Sequence, residues 1–114
     1  MTVPTADELL AHMREAASQA LTYTEGLAKG DFLADKRTQQ AVILNLIILG
    51  EAATKLMDHH PAVCEAYPGI EWRSMRGMRN RIAHGYYDIN LDVVWETVSS
   101  ALPELVERLQ AVEN

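Results

Sequence analysis

A single cysteine, Cys64, stands among the 114 residues, so no intrachain disulfide can form and the chain suits a reducing compartment. Positive charge is scarce: ten Lys and Arg face sixteen Asp and Glu, and the formal net charge is -6. That argues against a surface built to coat nucleic acid, while a local basic site on an acidic body stays open. Long apolar runs are missing too. The longest, residues 41–50, is broken by Asn45 and is about half of the ~20 residues that span a bilayer. The first eight residues are acidic and polar, which predicts no secretory signal and a cytoplasmic protein. There is no Gly-rich phosphate loop, paired-carboxylate motif, internal repeat or strand-type alternation. His59, His60 and Cys64 match no zinc spacing and lack a fourth ligand, so neither a metal nor a cofactor is expected.

What is present is helical spacing. Thr5-Ala6-Asp7-Glu8 has the form of a capping box. Apolar residues then recur at Leu9, Leu10, Met13, Ala17, Ala20, Leu21 and Leu27, predicting a first helix to about Leu27. Gly30-Asp31 breaks it, and Phe32 and Leu33 are expected to anchor a connector in the core. Asp31 or Asp35 caps a second helix, from about Asp35 to His59, which Pro61 ends. A third starts near Glu71, buries Trp72, Met75, Met78 and Ile82, and stops at Gly85 through a left-handed cap. Asn90 caps a fourth, whose apolar face runs from Leu91 to Leu109 and which Pro103 should kink near Ser99. The chain reads as one all-α domain over residues 1–114, a bundle of four to five antiparallel helices.

The second helix adds two expectations. Residues 41–49 are apolar nearly all round, more than one short chain can cover, so a homodimer is predicted with this helix near its interface. Asn45 is then a buried, satisfied polar group that fixes the register of the pair. Gly50 costs about 1 kcal/mol of helix propensity, which predicts close approach of another backbone or of a ligand.

The chemistry gathers between Arg73 and Tyr87. Four of the ten basic residues, Arg73, Arg76, Arg79 and Arg81, lie in this run beside Asn80, His84, Tyr86 and Tyr87. On a helical wheel Arg73, Gly77, Asn80 and His84 fall on one stripe, away from the Trp72/Ile82 face. Gly77 leaves room for a ligand, and a turn at Gly85 would bring Tyr86 back beside His84. Arginine binds phosphate, imidazole moves protons near neutral pH and asparagine orients a phosphate or a hydroxyl. Together these are the parts for metal-free RNA cleavage. One histidine cannot be base and acid at once, and two copies across a dimer axis could divide the roles. The plainer readings are a structural His84, a solvated Arg73/Arg76/Arg81 face and a packed Tyr86. Glu51 either orients an arginine of the third helix or is a surface carboxylate.

Arg79-Asn80-Arg81-Ile82-Ala83-His84-Gly85-Tyr86 fits an R-x4-H-x-Y pattern and, with Gly50-Glu51-Ala52-Ala53 and the Trp72–Asn80 run, resembles HepT-like toxins of the HEPN superfamily over nearly the whole chain. The resemblance implies a dimeric, HEPN-like helical endoribonuclease that acts as a toxin. It makes Arg79 and His84 catalytic, with Asn80 in support. Its partner would be an MntA-like nucleotidyltransferase antitoxin that transfers AMP onto Tyr86, blocking RNA by bulk and charge. Glu51 is read beside these as a supporting residue, and Arg73, Arg76 and Arg81 as contacts to RNA phosphates. No membrane partner is expected. The rival function is a non-catalytic helical module that binds nucleotide or docks a nucleotidyltransferase.

Overall fold

The computed structural model describes residues 2–112, and among them every regular element is helical. The first, α1 (Ala6–Thr24), opens on the expected capping box. Thr5 Oγ1 accepts from the Glu8 N–H at 3.1 Å, and the Thr5 N–H donates to the Glu8 carboxylate at 3.3 Å. This helix stops three residues before Leu27. The Thr24 hydroxyl donates to the Ala20 carbonyl at 3.2 Å, and Gly26 turns the chain at φ +77°, a conformation that suits glycine.

A short α2 (Lys29–Leu33) follows. Phe32 is fully buried, with its ring 5.4 Å from that of Trp95. Leu33, expected in the core, is 40% exposed, because one turn of helix can aim only one of two neighbours inward. The two candidate caps divide the work: Asp31 accepts from the Ala28 N–H at 2.9 Å, and Asp35 accepts from the Thr38 N–H at 3.1 Å to cap α3 (Lys36–His59).

Pro61 does more than end α3. It opens α4 (Pro61–Ala66) from the first helical position, where a missing N–H costs nothing. Next come α5 (Trp72–His84), a 3₁₀ turn at Tyr86–Asp88 and α6 (Leu91–Glu96), which Asn90 caps through Oδ1. Gly85 does not use the left-handed region: its φ is -124°, and the stop consists of its N–H on the Arg81 carbonyl followed by Asp88 N–H on the Gly85 carbonyl. Before Pro103 the helix widens into a π turn, Thr97–Ala101, and resumes as α7 (Leu102–Gln110). The Leu102 N–H reaches back to the Thr97 carbonyl, a register that absorbs the bond proline cannot donate. The expected kink is thus a widened turn.

α3 is the central element. At one end the His60 ring meets the Pro4 carbonyl at 3.0 Å, so α1 and α3 run antiparallel. On another side α5 runs antiparallel to α3, with Arg76 beside Asp58 and Arg79 beside Glu51. The Arg14 guanidinium ties α1 to the far end of α7 through the carbonyls of Leu109 and Val112. Leu10, Met13, Phe32, Val42, Leu49, Leu56, Val94, Val98 and Leu109 fill the centre. By length and composition α3 could cross a membrane, but here it is the core helix, with Val42, Leu46, Leu49, Ala53 and Leu56 sealed by its neighbours.

The single chain therefore covers more of residues 41–49 than their composition predicts. Two side chains stay open, Leu44 at 58% and Ile48 at 37% exposure. Asn45 is buried and satisfied, but within its own helix, where Nδ2 donates to the Ala41 carbonyl at 3.0 Å. It faces the core and not the uncovered strip.

Candidate functional site

α5 divides its residues between two environments. Trp72 and Ile82 are buried, with Met75 and Met78 packed partly against the core, and the Trp72 indole N–H donates to the Tyr67 carbonyl at 3.1 Å. Arg73, Asn80 and His84 lie on the exposed face. A Cβ added at Gly77 would meet nothing within 4 Å, so this stripe borders open space at its middle.

Arg79 lies between the two environments, and α3 holds it there. Gly50 faces it directly: a Cβ at Gly50 would collide with Arg79 Cβ and come 2.8 Å from the Met75 carbonyl oxygen. The close approach predicted for Gly50 is therefore that of α5 in the same chain. Arg79 Nη1 donates to Glu51 Oε1 at 3.1 Å, while Nε and Nη2 donate to Asn80 Oδ1 at 3.0 and 2.6 Å. A guanidinium has five N–H donors. Three are engaged here, which leaves one on each terminal nitrogen. The Arg79 side chain is 20% exposed and Glu51 52%, so the head is fixed while its free donors can still be reached.

The other basic groups differ from one another. Arg76 is tied to α3 by Asp58 at 2.8 Å and by Thr54 Oγ1 at 3.4 Å. The side chains of Arg73, Arg81 and His84 are exposed and have no ion pair or hydrogen bond among the described residues. Glu51, Thr54 and Asp58 form an i, i+3, i+7 ladder on α3, a spacing visible in the sequence that could have marked the partners of the α5 arginines.

Tyr86 follows His84 across the single residue Gly85. It opens the 3₁₀ turn, half exposed, and its ring meets Tyr87 edge-on at 5.9 Å, while Tyr87 is 98% exposed. Far from this site, burial pushes the Cys64 thiol above its ordinary value, which makes it a poor nucleophile. Among the described residues no three His, Cys, Asp or Glu side chains converge as a metal site would require.

An all-helical chain with a fixed arginine and an exposed histidine on one helix carries groups able to act on a phosphodiester. The comparisons supply the class. The family described as "Ribonuclease HepT-like" matches residues 13–112, and the chain belongs to it, as an enzyme of the ribonuclease class. It is 35% identical over 107 residues to "Probable ribonuclease HepT" of Thermococcus cleftensis, covering 94% of both chains. It is 29% identical over 98 residues to "Putative RNase MJ0127" of Methanocaldococcus jannaschii, covering 86% of this chain and 78% of that one. No solved structure gives a significant match.

Proposed function

We propose that this chain is a metal-independent endoribonuclease that acts as the toxin of a toxin-antitoxin pair, with Arg79 and His84 as its catalytic residues. The observation that carries the reading is the clamp on Arg79. Its guanidinium is fixed by Glu51 and Asn80 with donors left over, five residues before an exposed imidazole. In the reaction the RNA 2′-oxygen attacks the adjacent phosphorus and the bond to the 5′-oxygen breaks. The products are a 2′,3′-cyclic phosphate and a 5′-hydroxyl end. The free donors of Arg79 stabilise the charge that grows on the phosphoryl oxygens. One His84 takes the proton from the 2′-hydroxyl, and a second His84 gives one to the departing 5′-oxygen. Arg73 and Arg81 contact flanking phosphates, and Arg76, its charge largely balanced by Asp58, adds less.

The second His84 comes from a second copy. Leu44, Ile48 and Glu51 lie at i, i+4 and i+7 on α3, so the uncovered apolar strip runs into the Arg79 clamp. A copy seated on that strip places two clamps beside one cleft. The partner antitoxin is a nucleotidyltransferase that adenylylates Tyr86, whose ring is reachable beside the site and whose modification adds bulk and negative charge there.

Arg79→Ala and His84→Ala should each lower RNA cleavage by at least ~10²-fold, as expected for loss of an electrostatic or acid–base group, and should relieve growth arrest without unfolding the chain. Full cleavage by both variants would refute the assignment. Sedimentation should show a dimer that Leu44→Glu/Ile48→Glu disrupts, and an unchanged dimer would remove the shared cleft. Intact mass after co-expression with a nucleotidyltransferase should rise by one AMP and return to the bare mass in Tyr86→Phe.

A further inference from the structure

α5 packs on α3 and stands apart from α7. Between α5 and the α6–π–α7 segment runs a groove of ≈ 370 Å³, a volume within the range of small-ligand sites. Leu46 and Leu49 of α3 form its floor, Met75 and Met78 line one wall, and Leu102 and Leu105 line the other. Methionine adapts its shape to an apolar guest at small cost. The π turn supplies Thr97 and Ala101 to the rim, and such turns often occur where a helix has been adapted to a ligand.

Two arginines reach the groove, and their states differ. Arg108 is occupied, with Nη2 on Glu104 Oε1 at 2.6 Å and Nη1 on the Gly69 carbonyl at 2.9 Å. The Arg81 guanidinium has no ion pair or hydrogen bond among the described residues. Of the two carboxylates on the rim, Glu104 is the one that neutralises Arg108. Glu71 precedes α5 at its other end, roughly 15 Å from Arg81 at 1.5 Å of rise per residue, beyond a Debye length at physiological salt. The groove is thus apolar along its walls and carries an unpaired guanidinium at the Arg81 end, while Asp92 and Glu96 lie in the adjoining hollow that shares Val93 and Thr97 with it. An RNA phosphate would satisfy the guanidinium but has no use for six apolar side chains.

We infer that this groove binds a small amphipathic organic anion, its apolar body between the methionines and α7 and its carboxylate or sulfonate on Arg81. The inference does not rest on the nuclease reading. Both are carried by α5, however, so an occupant would remove the Arg81 charge from the RNA side and brace the helix that holds Arg79 and His84.

The test uses the full-length chain without RNA. 8-Anilinonaphthalene-1-sulfonate should bind saturably at one site per chain. Decanoate should displace it at least tenfold more effectively than decanol. Arg81→Gln should weaken binding of the sulfonate at least tenfold and abolish the preference for decanoate. Ala101→Trp should block the site, while Leu44→Glu/Ile48→Glu, on the other apolar surface, should not affect it. Should Ala101→Trp fail to fold, amide shifts of the unmodified chain on decanoate titration decide the matter: they should cluster at Met78, Arg81 and Ala101. Unsaturable binding, equal competition by decanol, or shifts centred on Leu44 and Ile48 would overturn the inference. So would a groove that ignores every probe, the outcome expected if a partner protein's helix is its occupant.

Discussion

Gly50 on α3 and Gly77 on α5 both sit in helices that pack together, and both carry the helix-propensity penalty of glycine. Their surroundings are opposite. At Gly50 a methyl group would strike Arg79 Cβ and the Met75 carbonyl; at Gly77 it would touch nothing within 4 Å. The first glycine lets protein approach, so that Arg79 can be gripped by Glu51 and Asn80. The second has no packing reason, and lies on the stripe of Arg73, Asn80 and His84. One side of α5 is closed around a charge and the other is open; in the proposed nuclease the first positions the guanidinium and the second admits the substrate. A site that must hold a group rigidly and still receive a long polymer needs both.

The most severe way to break the contrast is to fill the closed side. Gly50→Val should drive α5 away from α3, costing about 1–3 kcal/mol as overpacking does and lowering RNA cleavage by at least ~10²-fold through loss of the Arg79 position. A chain that melts like the parent and cleaves normally would show that the tight contact is incidental. Glu51→Gln is gentler. It keeps an acceptor for Arg79 Nη1 but removes the charge, and because Glu51 is half exposed the stability change should stay below about 1 kcal/mol. Cleavage should fall by roughly tenfold through kcat, with KM for RNA little changed, the mark of a positioning residue. An equal loss in Asp58→Asn, which holds Arg76 instead, would mean the clamp on Arg79 is nothing special.

The open side predicts the reverse sign. Gly77→Ala should stabilise the chain by about 0.5–1 kcal/mol, because a helical glycine is replaced where no atom stands in the way. Gly77→Leu should keep much of that gain and still lower cleavage by raising KM, since its side chain would occupy the approach to His84. If Gly77→Leu cleaves like the parent, the open stripe is not where RNA lies.

Much of the helical frame was legible because local chemistry decides it. Thr5 and Glu8 close their own box, Asp35 and Asn90 cap within three residues, and the Trp72/Ile82 spacing names the buried face of α5. Other features depend on what a residue meets far along the chain. Pro61 read as a stop and serves as a start. Gly85 read as a left-handed cap, yet the chain leaves α5 through a 3₁₀ turn that needs no positive φ. Pro103 announced a disturbance but not its form, since a π turn and a kink both relieve a missing N–H. At the site, the sequence grouped Arg79, Asn80 and His84, offered Glu51 an arginine of the third helix without saying which, and flagged Gly50 without naming what approaches it. Gly50 was open to a ligand or any backbone until α5 came to lie across it. The α5–α7 groove was not legible at all, because no spacing along one helix reports how far away the next one stands.

The smallest expected effect tests whether the contrast is local. Asp35 caps α3 on the surface, well before Gly50 in the helix. Its carboxyl is held below the usual carboxylate range, first by the Thr38 hydroxyl at 2.6 Å and then by the Thr38 N–H at 3.1 Å. A carboxyl depressed in the folded state stabilises it at every pH above the ordinary value, and that contribution fades as pH falls through the depressed value. Asp35→Ala should therefore melt a few degrees lower than the parent at pH 7, the difference narrowing below about pH 4. RNA cleavage at pH 7 and 25 °C should not change, since neither the grip on Arg79 nor the open stripe involves this cap. If cleavage drops along with the melting point, α3 transmits disturbance over its whole length. The activity losses expected at Gly50 would then reflect general loosening of the helix and not a displaced guanidinium.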